Sequence, residues 1–155
     1  MSEMDGPYLF DVGVIALAHT KAPVRDAALS YVRDAIAGDI DAIVPYPAVF
    51  GAHTVLTTYY GRSNAEASRL LENFIDANRI HWADRLPETL VSDSLDNART
   101  ANIGGWDGYY AQVAIEEGAN TLLTIDDGFE RFDEFDTEVI LSSAEFRELN
   151  AFLEQ

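Results

Sequence analysis

Short, uninterrupted apolar runs in this chain alternate with longer stretches whose apolar residues recur at helical spacing. The runs at 8–10, 40–44, 80–82, 122–125 and 139–141 predict five strands, buried on both faces as parallel strands are. Between them, helices are predicted at 14–18, from Pro23 to about 37, from the Pro45-Tyr46-Pro47 segment to Tyr60, and at 63–75, 88–101, 106–117 and 142–152. Ser63 with Glu66 and Ser142 with Glu145 have the spacing of capping boxes. In the 88–101 helix the predicted inward positions are Leu90, Val91, Leu95 and Ala98. Strands alternating with helices predict an α/β fold around a parallel sheet.

Two of the predicted strands end on a carboxylate. Leu9 and Phe10 run into Asp11, and Leu122 to Ile125 run into Asp126 ahead of Asp127 and Gly128. Open α/β sheets bind ligands at the carboxyl ends of strands, so two such aspartates can face one crevice. Each also has a local reading: Asp11 as the N-cap of the helix that follows, Asp126 as part of a turn with Asp127 and Gly128. Asp107 is the third candidate, at the start of a helix after Gly104 and Gly105, where the helix dipole favours a carboxylate with or without a metal. Three converging oxygen ligands would favour Mg²⁺ or Mn²⁺ over zinc and suit phosphodiester displacement.

Other chemistries lack their residues. His19, His53 and His81 show no metal-ligand spacing, and the glycines around Gly104 follow a helix rather than the strand a dinucleotide fingerprint needs. Trp82 and Trp106 read as core or crevice wall. The acidic run from Glu130 to Glu138 lacks the order of a calcium loop.

Composition adds two constraints. The 155 residues, 48% hydrophobic and without cysteine, fit one domain over 1–155 with an ordinary core and no disulfide. The acidic, polar N-terminus and the absence of a long apolar run predict a cytoplasmic protein with no membrane span. Charge is the unusual feature: 27 acidic against 10 basic residues gives −17, and Lys21 is the single lysine. Such a surface predicts a salt-adapted, halophilic protein and leaves no basic face for phosphates. Screening length shortens from about 10 Å at 0.1 M salt to about 3 Å at 1 M. Thermal midpoints should therefore rise with KCl, and a flat profile from dilute buffer to molar KCl would rule out salt adaptation.

Leu9-Phe10-Asp11, the Asp107-led helix ending in Gly118-Ala119-Asn120, and Leu122-Leu123-Thr124-Ile125-Asp126 with Phe129 together resemble a PIN domain. The resemblance covers nearly the whole chain and is most specific in its C-terminal half. It implies a parallel five-stranded sheet of order 3-2-1-4-5 and a Mg²⁺- or Mn²⁺-dependent ribonuclease site formed by Asp11, Asp107 and Asp126. Many small members are VapC-like toxins of toxin–antitoxin pairs, so the resemblance also implies an RNA substrate, an antitoxin partner and a homodimer. The charge pattern suggests a halophilic archaeal member. One departure matters: Gly51 stands where the family carries a further metal-ligand glutamate, and no carboxylate lies one helical turn away. Val12 and Gly13 also replace the hydroxyl and amide residues common after the first aspartate. The alternative is accordingly a catalytically weakened PIN fold serving as an RNA- or protein-binding module.

Overall fold

The computed structural model describes residues 5–126 and 128–154. Asp127 and the first four residues of the acidic N-terminus lie outside them. The described chain runs β1 (Asp5–Phe10), α1 (Val12–Ala18), α2 (Arg25–Ala37), β2 (Ile40–Pro45), α3 (Pro47–Thr58), α4 (Asn64–Ile75) and β3 (His81–Ala83). It continues through α5 (Glu88–Ala101), α6 (Gly105–Glu116), β4 (Thr121–Thr124), β5 (Asp136–Val139) and α7 (Ser143–Leu153). The strands form one five-stranded sheet in the order β3-β2-β1-β4-β5, and every neighbouring pair is parallel. This is the predicted fold class and strand order.

Burial follows position in the sheet. Leu9 and Phe10 of β1 and Leu122, Leu123 and Thr124 of β4 have no exposed surface, because these two strands lie inside the sheet with helices packed around them. The edge strand β5 alternates exposed and half-buried residues and carries Asp136 and Glu138, charges that discourage pairing with another edge. The chain builds β2 and β3 outward on one side of β1, then returns to place β4 on the other. The switch point lies between β1 and β4, where Phe10 pairs with Leu123.

Capping chemistry sets several helix ends. Ser142 and Glu145 form a complete capping box on α7, and the Ser63 hydroxyl accepts from the Glu66 amide at 3.1 Å at the start of α4. Gly38, at φ 80°, closes α2 in the left-handed conformation that favours glycine.

Two expectations need correction. The fifth strand lies at Asp136–Val139, earlier than 139–141, because pairing to β4 begins where Asp136 donates to the Asn120 carbonyl. On α5 the buried residues are Leu90, Ser94 and Ala101, while Val91 and Leu95 are exposed. The small residues of α5 turn inward because α6 approaches closely at Gly108, where a Cβ would lie 2.3 Å from the Ser94 carbonyl oxygen.

Candidate functional site

Asp11 follows β1 directly, and its amide still donates to the Leu123 carbonyl of β4 at 3.0 Å. Its side chain caps α1, with Oδ1 accepting from the Val12 amide at 2.7 Å. The other oxygen, Oδ2, accepts from the Thr124 hydroxyl at 3.0 Å. The N-cap and strand-end readings of Asp11 thus hold together: the cap orients the carboxylate, and the sheet places it at the switch point.

Asp126 lies two residues beyond β4. Its Oδ1 accepts from the Gly128 amide at 3.1 Å, and its own amide donates to Thr124 Oγ1 at 3.3 Å. Thr124 therefore joins the two aspartates, donating to one side chain and accepting from the backbone of the other. Thr124 is fully buried at the end of β4, and the strand-end pattern in the sequence pointed to the aspartates without singling out this hydroxyl. Asp107 enters from the first turn of α6, after Gly104 as N-cap.

All three aspartates line one cleft of about 540 Å³. Val12, Gly13 and Gly51 form part of its floor, Val55, Phe146, Leu149 and Leu153 its apolar walls, and the exposed rings of Phe50, Tyr59 and Trp106 its rim. The electrostatics are strained. Burial pushes the Asp11 carboxyl up to about 7, reinforced by the charges of Asp107 and Asp126 and opposed by the hydrogen bonds from Thr124 and Val12. Burial likewise raises Asp107, and Asp126 adds to the rise. Among the described residues, no ion pair neutralises any of the three.

Mutually repelling carboxylates without a basic partner suit a hard cation by donor chemistry. Among the described residues, no group of three or more acidic or imidazole side chains is gathered tightly enough to hold a metal alone. Mg²⁺ tolerates such an open arrangement, since it keeps several waters and often takes only one or two carboxylates plus substrate phosphates. By donor type, the residues present suit a largely hydrated divalent ion.

The α3 position at Gly51 is not empty space. A Cβ at Gly51 would lie 2.8 Å from Val12 Cγ2 and 3.2 Å from the Tyr110 hydroxyl. The valine after Asp11 and a tyrosine from α6 have taken the volume a side chain on α3 would need. Overpacking costs about 1–3 kcal/mol, against about 1 kcal/mol of helix propensity regained on replacing glycine. Gly51→Ala and Gly51→Glu should therefore both lower the thermal midpoint, and Val12→Ala should relieve the loss. A rise in midpoint for Gly51→Ala in the wild-type background would show that Val12 yields freely.

The histidines stay outside the cleft. His19 packs edge-on against Phe74, His53 pairs with Ser68, and His81 meets Glu117 at 3.0 Å. Trp82 donates to the Ala77 carbonyl at 2.9 Å and stacks on Tyr46, so it belongs to the β3 side of the core.

No protein-family model matches the chain, and no curated protein matches it. Solved structures do. VapBC2 from Rickettsia felis, bound to a DNA fragment from its promoter, matches with a TM-score of 0.62 at 16% identity, over 84% of this chain and 96% of that one. PAE2754 from Pyrobaculum aerophilum matches at 0.59 and 20% identity, over 91% and 93%. FitAcB from Neisseria gonorrhoeae matches at 0.56 and 18% identity, over 84% and 95%. The fold is PIN-like. At these identities the likeness is one of architecture, and the PIN-like sheet accounts for why the ends of β1 and β4 share a crevice in this chain.

Proposed function

We propose that this protein is a divalent-metal-dependent endoribonuclease of the PIN type, acting as the toxin of a toxin–antitoxin pair. The observation that carries this reading is the convergence of Asp11, Asp107 and Asp126 on one cleft at the β1/β4 switch point, without a neutralising partner among the described residues. Asp11, Asp107 and Asp126 would hold Mg²⁺ or Mn²⁺, which when bound supplies charge stabilisation at a phosphodiester and activation of water.

The chain's own residues do the positioning. The Val12 amide and Thr124 hydroxyl fix both oxygens of Asp11, and the Gly128 amide fixes one oxygen of Asp126. Burial limits water around the Asp11 carboxylate, which strengthens each charge interaction there. Phe50, Tyr59 and Trp106 offer exposed rings on which unpaired bases can stack, at about 1–3 kcal/mol per base. Stacking matters more here than usual, because a chain of net charge −17 gains little from phosphate contacts.

An antitoxin partner accords with the VapBC2 name of one structural neighbour and with the VapC-like resemblance of the sequence. Leu86, Val91 and Leu95 form an exposed apolar surface at α5, which supports a homodimer face. No helix among the described residues is long and apolar enough to cross a membrane, which suits the cytoplasmic, single-domain protein of this reading.

A second reading, a PIN-fold module that binds RNA or protein without cleaving it, is favoured by Gly51 and by the loose spacing of the acidic groups. Mn²⁺ titration and cleavage of a labelled RNA pool separate the two. The nuclease reading expects saturable Mn²⁺ binding, Mn²⁺-dependent cleavage, and at least a tenfold loss of both in Asp126→Asn. Asp126 is exposed, so its midpoint should stay near wild type. Wild-type protein that binds no Mn²⁺ and leaves the RNA intact would establish the binding module instead.

A further inference from the structure

The cleft holds a buried, unpaired polar group that neither the sequence motif nor the aspartate trio explains. Tyr110 is 1% exposed, and its hydroxyl has no hydrogen-bond partner among the described residues. Buried hydroxyls are almost always paired, and leaving one unpaired costs about 1–3 kcal/mol. The ring cannot easily turn away: Trp106 stacks on it at 5.9 Å with an 18° interplanar angle, and Tyr109 tilts against it at 5.4 Å.

The hydroxyl lies 3.2 Å from where a residue-51 Cβ would stand, so it occupies the space in which a side chain from α3 would begin. Asp11 and Asp107 both act on it: burial raises the phenol far above its ordinary range, and their charges add to the rise. It therefore stays neutral and protonated beside carboxylates that it does not reach. A phenol oxygen can accept one hydrogen bond while its proton points elsewhere. A carboxylate on α3 would present an acceptor in the same corner, and Gly51 has none.

We infer that Tyr110, from α6, supplies a further polar group of the cleft beside Gly51, as a neutral acceptor for a water in the hydration shell of the cation. This rests on the nuclease reading, because it needs a cation held by Asp11, Asp107 and Asp126. Tyr110 is then a positioning residue that acts through the shell water.

The experiment is Mn²⁺ titration of wild type, Tyr110→Phe and Asp126→Asn, with metal-free thermal midpoints and the tyrosine ultraviolet difference spectrum on Mn²⁺ saturation. Loss of a group that orients a metal's surroundings typically weakens affinity about 10- to 100-fold. Tyr110→Phe should weaken Mn²⁺ binding about tenfold while its metal-free midpoint holds or rises, because an unpaired hydroxyl has been removed. Wild type should show a tyrosine difference signal that Tyr110→Phe lacks. Unchanged Mn²⁺ affinity in Tyr110→Phe, with wild type and Asp126→Asn behaving as expected, overturns the role of Tyr110 and leaves the nuclease reading standing. Absence of saturable Mn²⁺ binding in wild type overturns both. Should Tyr110→Phe fold poorly, the wild-type spectrum decides, and Mn²⁺ saturation without a tyrosine signal overturns the inference.

Discussion

Gly108→Ala should lower the thermal midpoint more than any other single-methyl addition in the C-terminal half of the chain. The added Cβ would lie 2.3 Å from the Ser94 carbonyl oxygen and 3.1 Å from the Ala98 amide nitrogen, both backbone atoms of α5. A flexible side chain could move aside. A helix backbone cannot, so α5 and α6 would have to separate along their contact. Ordinary overpacking costs about 1–3 kcal/mol, and a backbone clash of this depth belongs at or beyond the upper end. Helix propensity acts in the opposite sense by about 1 kcal/mol and does not offset it. At about 2–4 °C per kcal/mol for a chain of this size, the midpoint should fall by roughly 6 °C or more. Gly105→Ala is the control, because nothing lies within 4 Å of its Cβ position. The consequence reaches the cleft, since α6 carries Trp106, Asp107 and Tyr110. The Asn97 side chain, which donates to the Gly108 carbonyl at 3.2 Å and to Gln112 at 3.0 Å, would lose its register as well. A Gly108→Ala protein melting within 2 °C of wild type would show that the helices are not packed this closely.

Gly108 also marks where the chain's pattern stopped being legible. Parallel strands flanked by buried helices leave dense apolar runs, so β1, β2 and β4 could be placed from the sequence, and the strand-end aspartates with them. Capping boxes are local chemistry, which is why Ser142 and Glu145 predicted the start of α7 correctly. The inward face of α5 was not local. Val91 and Leu95 looked like core by hydrophobicity, but the helix turns its small residues toward α6 because the close approach at Gly108 leaves no room for larger ones. The early start of β5 has a similar origin: Asp136 and Glu138 have poor strand character, and pairing with β4 imposes the extended conformation on them. In the cleft, the sequence pointed to the three aspartates that line it, and not to the Thr124 hydroxyl that joins two of them or to Tyr110. Both are visible only once β4 and α6 are placed beside β1.

Asp11→Asn should stabilise the metal-free protein at neutral pH while removing the Mn²⁺ binding and RNA cleavage proposed for it. The carboxyl rises from an ordinary 3.8 to about 7, with burial the largest cause and the charges of Asp107 and Asp126 adding to it. The folded state therefore holds a proton on Asp11 over a range where the unfolded chain has released it. Stability contributed by this group is fully present below about pH 4 and is lost as pH rises through about 7. The difference between the two values corresponds to roughly 4 kcal/mol at full ionisation. Asparagine keeps the oxygen that caps α1 at the Val12 amide, and it carries no charge to bury. In metal-free buffer the two proteins should melt similarly near pH 4, and the Asn variant should gain progressively toward pH 8, by up to about 10 °C. Since general self-repulsion of the acidic surface affects both proteins alike, the difference between their midpoints isolates the buried group. Saturating Mn²⁺ should raise the wild-type midpoint near pH 8 and leave Asp11→Asn unmoved, because a ligand that binds only the folded state adds to its stability. Parallel pH profiles for the two proteins between pH 5 and 8 would mean that Asp11 is not held as a strained, buried carboxylate awaiting a cation.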